Sequence, residues 1–366
     1  MILKRVYIQN FRNIKVLNIR PAPGFNIVYG INGSGKTSFL EALGYLSLGR
    51  SFRGATYHHL ISDNSSEFVL SCDVYDESCN QTLTLGVSRS RFRSRGSDLQ
   101  LSVNFQHVSR LLDLVKHICV QIIHPDGIAL VLGSPELRRK FIDWGVFYSR
   151  PEFSGFWYKY QKVLSQRNFI LRTGIGFDGL VFWDDMLASL SEQISALREE
   201  YLKALTPIFL NKISSFLPAF KFSLELTKGW DKNADLRSVL SLNLEKDTNL
   251  GYTYYGCHRA DLKIKTGHTS ASDTLSRGQL KLLVCALRLS QGFLLQQQTG
   301  RSCIYLIDDL NSELDSNSRK VLLAELLNSS NQVFITNINK DINLPERDGT
   351  FCLDIIEHTG SSISPV

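Results

Sequence analysis

One octapeptide, GINGSGKT at residues 30–37, limits the folds open to this chain more than any other feature. The apolar run FNIVY precedes it and TSFLEALGYL follows, so it reads as a turn from a strand into a helix. Its spacing is G-x-x-x-x-G-K-[ST], in which glycines let successive backbone N–H groups point inward around phosphate oxygens. Lys36 adds a point charge for β- and γ-phosphates, Thr37 offers a hydroxyl to Mg²⁺, and the helix start supplies further N–H donors. Gly30, Ile31, Asn32, Gly33, Ser34, Gly35, Lys36, Thr37 and Ser38 are therefore the candidate ATP-binding residues. A glycine-rich turn that binds nothing is the alternative, and the flanking strand and helix weigh against it.

A second segment supplies the acidic partner. CIYLIDDLNSELD, residues 303–315, opens with five continuously apolar residues, the pattern of a strand buried on both faces of a parallel sheet. It ends in Asp308-Asp309. A carboxylate at that end of a strand can hold Mg²⁺, the role assigned to Asp308. Asp309 is then placed to orient or activate an attacking water. A helix expected over 316–327 leads to a third strand, QVFIT at 332–336, which makes a βαβ unit and a parallel sheet.

Length and composition narrow the class. The 366 residues suffice for two or three domains, and a net charge of +6 mildly favours an acidic partner without deciding one. Seven cysteines with no C-x-x-C point to a reduced, cytoplasmic setting, not to a disulfide framework or a zinc site. The opening MILKRVYIQNF alternates apolar and charged residues as a strand does, unlike a signal peptide. The longest apolar stretch, 280–295, is interrupted by Lys281, Arg288 and Gly292, so no membrane span is expected.

Along the chain, the first hundred residues read as short strands around one helix at 37–48. Residues 136–211 turn helical: Leu187, Leu190, Ile194, Leu197 and Tyr201 step by three and four, as an a/d seam does. A helix over 152–172 precedes that seam, and TGIGFD at 173–178 joins the two as an antiparallel hairpin with arms of roughly 40 Å or less. A period-2 strand follows from 219, and the chain reads α/β after 251. SRSRFRSRG at 88–96 sets Arg89, Arg91, Arg93 and Arg95 two apart, on one face of a strand. That row could track a DNA backbone or could be a charged, solvated hairpin edge. Arg138, Arg139 and Lys140 form a second basic cluster, which more often solvates a helix face. FSGFWYKYQ at 153–161 could stack bases but suits core packing better. His58-His59 has no ligand spacing and is assigned no metal.

The segment DTLSRGQLKLL, 273–283, begins a helix with a capping box, Ser276 as N-cap and Gln279 three residues on. The same helix end presents N–H groups and a positive dipole to any anion. GINGSGKT, LSRGQ and LIDDLNSELD in this order resemble an ABC-type ATPase head. FRNI (11–14), GRSFR (49–53), HPDGIALVLGSPELRRKFIDW (124–144) and TLSRGQLKLL narrow the likeness to the RecF family of SMC-like repair ATPases, over essentially the whole chain.

The resemblance implies an α/β fold: an ABC-type P-loop ATPase head of mixed sheet and helices, with an inserted helical or coiled-coil hairpin subdomain. The head is expected over 1–125 and 250–366, and the helical part over 126–249. It implies ATP and Mg²⁺ as cofactors and an ATP-dependent homodimer on gapped or junction DNA. Family partners are RecO, RecR and RecA, and a weak, DNA-dependent ATPase activity resets the clamp. Arg12 and Asn13 would approach the nucleotide. Gln121, at the Q-loop position, would complete the Mg²⁺ shell or touch the attacking water. Ser276, Arg277, Gly278 and Gln279 would meet the γ-phosphate held by the partner, and Asp315 would end the D-loop.

The chain departs from the pattern in three places. Asp309 stands where ABC heads carry Glu, one methylene shorter, so hydrolysis is expected to be slow. Thr336-Asn337 replaces a switch histidine, leaving Thr336 as a guess for the γ-phosphate sensor. Cys257 in GCHRADL stands where the family usually has Pro. A small-molecule kinase and a transporter's nucleotide-binding subunit share the phosphate loop. Neither accounts for all the motifs: the kinase has no use for LSRGQ, and the FRN segment and helical hairpin argue against the transporter subunit.

Overall fold

The computed structural model describes residues 1–94, 97–309, 314–329, 331–338 and 351–354, with the backbone alone at 93, 94, 97 and 351–354. It divides into two compact units, Met1–Gly127 with Leu295–Val366, and Ile128–Leu294.

The first unit is built on two sheets. Its strands are β1 (Ile2–Phe11), β2 (Ile14–Ile19), β3 (Phe25–Tyr29), β4 (Glu67–Asp76), β5 (Gln81–Ser94), β6 (Ser97–Val103), β7 (Gln106–Val108) and β8 (Val120–Ile123). The second unit contributes β9 (Phe222–Thr227), β10 (Asp261–Thr266) and β11 (Thr269–Ser270), and the chain then returns with β12 (Ile304–Ile307), β13 (Gln332–Asn337) and β14 (Phe351–Asp354). The core sheet has the order β14-β3-β13-β12-β8 and is parallel throughout. Every residue of β8, β12 and β13 is buried; β12 accordingly reads as an unbroken apolar run, while β8 and β13 each bury polar side chains, Gln121 in one and Gln332, Thr336 and Asn337 in the other. The other sheet, β2-β1-β4-β5-β6-β7, is antiparallel.

Helix α1 (Lys36–Leu48) packs against residues from both sheets. Phe39 meets Phe334 of the core sheet at 5.9 Å, while Tyr45 sets its edge to Phe68 of β4 at 5.3 Å. A helix enclosed this way needs apolar side chains on every side, and from Phe39 to Leu46 only Glu41 breaks that run. Gln332 ties β1 to the core sheet: it accepts from Leu3 N (2.8 Å) and donates to the carbonyls of Leu3 (3.1 Å) and Ala22 (2.7 Å).

The second unit holds α2 (Pro135–Ser149), α3 (Glu152–Thr173), α4 (Leu180–Phe216) and α5 (Arg277–Thr299), the last leading out of it. The expected hairpin is present. Gly174 ends α3 in a left-handed turn (φ 71°), its N–H bonded to Ile170 O, and Arg167 reaches across to Asp184 at 2.6 Å. On α4 the seam residues Leu187, Leu190, Ile194 and Tyr201 are buried. α4 exceeds the expected arm length: its 37 residues span about 56 Å and pass through Pro207. Beyond Tyr201 it leans on the small sheet β11-β10-β9, with Phe209 against Phe222 at 6.0 Å, and this second support carries it past the hairpin.

The unit boundary corrects one expectation. Residues 250–294 were grouped with the head, but β10 pairs with β9 from Asp261↔Thr227 to Thr266↔Phe222, which joins that stretch to the helical unit. The basic and aromatic segments take structural roles. Arg138 makes a two-pronged pair with Asp261 (2.7 and 3.1 Å), Arg139 donates to Ala260 O (2.7 Å), and Lys140 pairs with Glu136. Phe153 and Tyr160 are core residues. Cys257 is fully buried, and its carbonyl accepts from Arg198 at 2.7 Å.

Arg167 is fully buried and binds Asp184, Asp247 and Thr253 at 2.6–2.9 Å. Arg167→Ala would strand two buried carboxylates, and the expected cost is about 3–5 kcal/mol. A urea titration should show a lower midpoint, with the deficit shrinking at acid pH as Asp184, whose pKa burial raises, neutralises.

Candidate nucleotide-binding site

The C-terminal ends of β3, β12 and β13 open on a cavity of about 550 Å³. Its lining includes Asn32, Gly33, Gly35, Lys36, Thr37 and Ser38 of the glycine loop, Asp308 and Asp309, and Arg12 and Asn13. Residues far apart in sequence thus meet as one site. Gly33 (φ 87°) and Gly35 (φ 104°) hold left-handed backbone, and a Cβ on Gly35 would lie 3.0 Å from Asn13 Nδ2. Asn13 donates to Gly33 O at 2.9 Å and so braces the loop from the FRN turn. Lys36 Nζ lies inside the loop, donating to Gly30 O (2.7 Å) and Ile31 O (2.8 Å). Burial lowers its pKa, and the carboxylates of Asp309 and Asp308 oppose that shift. Ser34 Oγ is buried and finds no hydrogen-bond partner among the described residues. An ammonium resting on two carbonyls and an orphaned hydroxyl suit an incoming phosphate.

Asp308 is the centre of the acidic side. It follows β12, is 8% exposed, and accepts from Thr37 Oγ1 (3.0 and 3.1 Å) and from Thr336 Oγ1 (2.8 Å). Burial raises its pKa; the two threonine hydroxyls counter this, the Asp309 charge adds to it, and Arg53 opposes it. Thr37 and Asp308 present hard oxygens side by side. That fits Mg²⁺, which takes one or two protein oxygens and completes its octahedron with phosphate oxygens and water. Asp309 has a left-handed backbone (φ 50°), held by its N–H donating to Thr336 Oγ1 at 2.8 Å. Thr336 therefore fixes both aspartates.

Several lining residues were given no role in the site from the sequence: Arg53, His59, Ile61, Asp63 and Ile338. Glu41 was missed as well, although it is the one acid in the apolar run after the loop. It is fully buried and accepts both prongs of Arg12 (2.9 and 3.0 Å). It also accepts from Ser51, whose hydroxyl in turn holds Arg53 N at 3.0 Å. One buried carboxylate thus positions two cations at the cavity.

Other candidates lie elsewhere. Gln121 is fully buried in mid-strand, level with Tyr305 and roughly 10 Å short of Asp308 along the sheet, and it does not line the cavity. The Mg²⁺ and water role given to Gln121 is therefore not supported by its placement. Asp315 caps helix α6 (Ser316–Leu327), accepting from Asn317 N (2.9 Å), Ser318 N (3.0 Å) and Ser318 Oγ (2.6 Å). Those hydrogen bonds lower its pKa. The D-loop residues before it, 311–313, lie outside the described residues.

The arginine row is divided. Arg89 binds Asp98 (3.1 Å) and Tyr45 OH (3.2 Å) and lies 3.9 Å over the ring of Tyr57. Arg91 donates to Ser65 O at 3.1 Å. These two arginines brace the β5 hairpin and do not form a free row. The side chain of Arg93 and all of Arg95 lie outside the described residues. The signature segment lies in the second unit. Its capping box is closed: Ser276 N donates to Gln279 Oε1 (2.9 Å) and Gln279 N to Ser276 Oγ (3.3 Å). Ser276, Arg277 and Gly278 are exposed, and a Cβ on Gly278 would meet nothing within 4 Å.

The chain is similar to known proteins. The RecF/RecN/SMC N-terminal domain family matches residues 2–346. The DNA replication and repair protein RecF of Shewanella sp. (strain W3-18-1) is 40% identical over 342 residues, 93% of this chain and 92% of that protein. RecF of Shewanella pealeana (strain ATCC 700345 / ANG-SQ1) is 40% identical over 338 residues, 92% of each. The solved structure of the recombination mediator protein RecF-ATP in the RecFOR pathway is 27% identical, with a TM-score of 0.88 over 100% of this chain and 99% of that one. An Smc head bound to the C-winged helix domain of ScpA shares the fold at 16% identity, with a TM-score of 0.57 over 93% and 90% of the two chains. No helix among the described residues is long and apolar enough to cross a membrane.

Asp308→Asn tests the acidic side. The folded pKa of Asp308 lies above the ordinary 3.8, so its charge burdens the fold at neutral pH. That burden is full above the folded value and falls away as pH drops towards 3.8. The variant should melt at the same or a higher temperature at pH 7, with the advantage fading on acidification. Calorimetry should show Mg²⁺-dependent ATP affinity reduced by about tenfold or more, roughly the loss of one charge-assisted contact.

Proposed function

The chain belongs to the RecF/RecN/SMC N-terminal domain family, on the branch of the repair protein RecF, and from that membership we propose an ATP-gated DNA-binding protein of recombinational repair. The observation that carries this reading is the meeting of the glycine loop, both aspartates and the FRN turn in one cavity. ATP would place its phosphates in the loop, where Lys36 exchanges its two carbonyl partners for phosphate oxygens. Thr37 and Asp308 would hold Mg²⁺, which when bound neutralises phosphate charge. Asp309 would orient the attacking water and receive its proton while the bond from the γ-phosphorus to the β-phosphate oxygen breaks. Lys36 and Arg53 face the charge that develops. With an aspartate in that position the reach is short, and hydrolysis is expected to be slow.

Two chains would join head to head, the Ser276–Gln279 signature of each closing on the ATP of the other. The dimer would clamp DNA at gaps and at single-/double-strand junctions and, with RecO and RecR, help to load RecA. Hydrolysis would then release it. A small-molecule kinase would use the same loop without joining a second copy, so size decides between them.

Light scattering on a sizing column, with and without ATP, should show monomers turning into dimers. Lys36→Arg should abolish both the shift and ATP-stimulated DNA binding. Ser276→Arg should bind ATP as the parent does yet stay monomeric. Dimers of Ser276→Arg, or a parent that never dimerises, would count against the clamp.

A further inference from the structure

The second unit carries a surface that the ATP site does not use. In the sequence YTYYGCHR, Tyr252 and Tyr254 are each 38% exposed, while Thr253 between them is buried. Thr253 is pinned from three sides. Its N–H and hydroxyl both donate to Asn168 Oδ1 (2.8 and 2.7 Å), Arg167 donates to its Oγ1 (2.9 Å), and its carbonyl meets His258 Nε2 at 3.1 Å. Tyr254 N donates to the buried carboxylate of Asp247 at 3.0 Å. Burial lowers the pKa of His258 to about 4, so the imidazole stays neutral at working pH. The backbone is therefore rigid, and the two tyrosines face outward because the residue between them faces in.

Cations line these rings. Lys246 Nζ lies 3.5 Å from the ring centre of Tyr254, and the Arg259 guanidinium lies 5.5 Å from both Tyr252 and Tyr254. The stem of Arg172 packs beside Gly251, 3.0 Å from where a Cβ would sit. Among the described residues no carboxylate within ion-pair distance neutralises Lys246, Arg259 or Arg172. Lys246 and Arg259 rest over these ring faces with no acid to hold them there, and a single strand of nucleic acid could displace them: its bases would stack on the rings while its phosphates take up the cations. A duplex keeps its base faces inside and could use only the charges.

We propose that Tyr252, Tyr254, Lys246, Arg259 and Arg172 form a ledge that binds single-stranded DNA without requiring ATP. This rests on the reading of the chain as a DNA-binding protein, but not on the nucleotide site. Fluorescence anisotropy with labelled oligo(dT) and with a blunt duplex of equal length tests it on the full chain without nucleotide. Tyr252→Ala with Tyr254→Ala should weaken oligo(dT) binding by at least about 5-fold per tyrosine and leave the duplex nearly unchanged. Tyr252→Phe with Tyr254→Phe should retain oligo(dT) binding, since the stacking faces remain. Lys246→Gln with Arg259→Gln should flatten the salt dependence by about 0.7 per lost phosphate contact. These surface changes leave the pinned Thr253 in place, and a melting curve confirms the fold. The ledge is overturned if the alanine variant binds oligo(dT) as the parent does, or loses oligo(dT) and duplex equally. ATP-driven dimerisation and the ATP response on gapped DNA should persist in every variant. A failed ledge with both intact leaves the clamp standing, whereas a parent that binds no DNA removes both.

Discussion

A carboxylate taken out of water must be met by hydrogen-bond donors, and the nucleotide site is arranged around that need at Asp308. Its donors are Thr37, at the start of α1, and Thr336, near the end of β13, while Asp308 itself follows β12. Three elements that are remote in sequence converge on one side chain. The same threonine that holds Asp308 also accepts from Asp309 N, so the second aspartate keeps its uncommon left-handed backbone. A second buried acid, Glu41, plays the equivalent part for the cations by fixing Arg12 and, through Ser51, the chain at Arg53. The glycine loop lies between these two anchors and is braced from the side by Asn13.

How much of this was readable in advance depended on range. The phosphate loop, the buried acidic strand and the helix after it are local patterns, and the structure has them where the spacing put them. The capping box of Ser276 and Gln279 is likewise local, and it forms reciprocally. Gln121 does not line the cavity because its place depends on strand register, which one sequence does not reveal: Tyr305, not Asp308, is its neighbour. Arg89, Arg91 and Arg93 of the arginine row lie on strand β5, but the charge of Arg89 was assigned without Asp98, Tyr45 and Tyr57, partners that approach from other segments. Arg53 and Asp63 sit in turns and His59 in a four-residue 3-10 helix, all too short to show a period. The domain boundary moved because strand pairing between 222–227 and 261–266 is a long-range event.

The helical unit shows the same limit in its core. A seam of leucines predicts two helices packing, and they pack. It does not predict Arg167 or Arg198, which are buried to the last few per cent: Arg198 is held by Asp143 and the carbonyl of Cys257, and Arg167 by Asp184 and Asp247, with its Nη2 left without a partner among the described residues. Such pairs add little net stability over apolar packing, because desolvation offsets their attraction. What they do fix is position. Arg198 ties α4 to Asp143 of α2 and to the carbonyl of Cys257, so the GCHRADL turn is held without the proline usual there.

The closed capping box at Ser276 also sets a threshold for recognition. A helix end whose donors were all free would attract any small anion in the cell. Here Ser276 N and Gln279 N already have partners, so a lone phosphate would have to displace satisfied bonds for little return. A phosphate delivered together with a whole protein surface brings enough new contact to outweigh that exchange. In the proposed dimer the segment would then ignore free inorganic phosphate and respond only to a nucleotide already seated in a second chain. Its selectivity would come from the company the anion keeps, not from the anion itself.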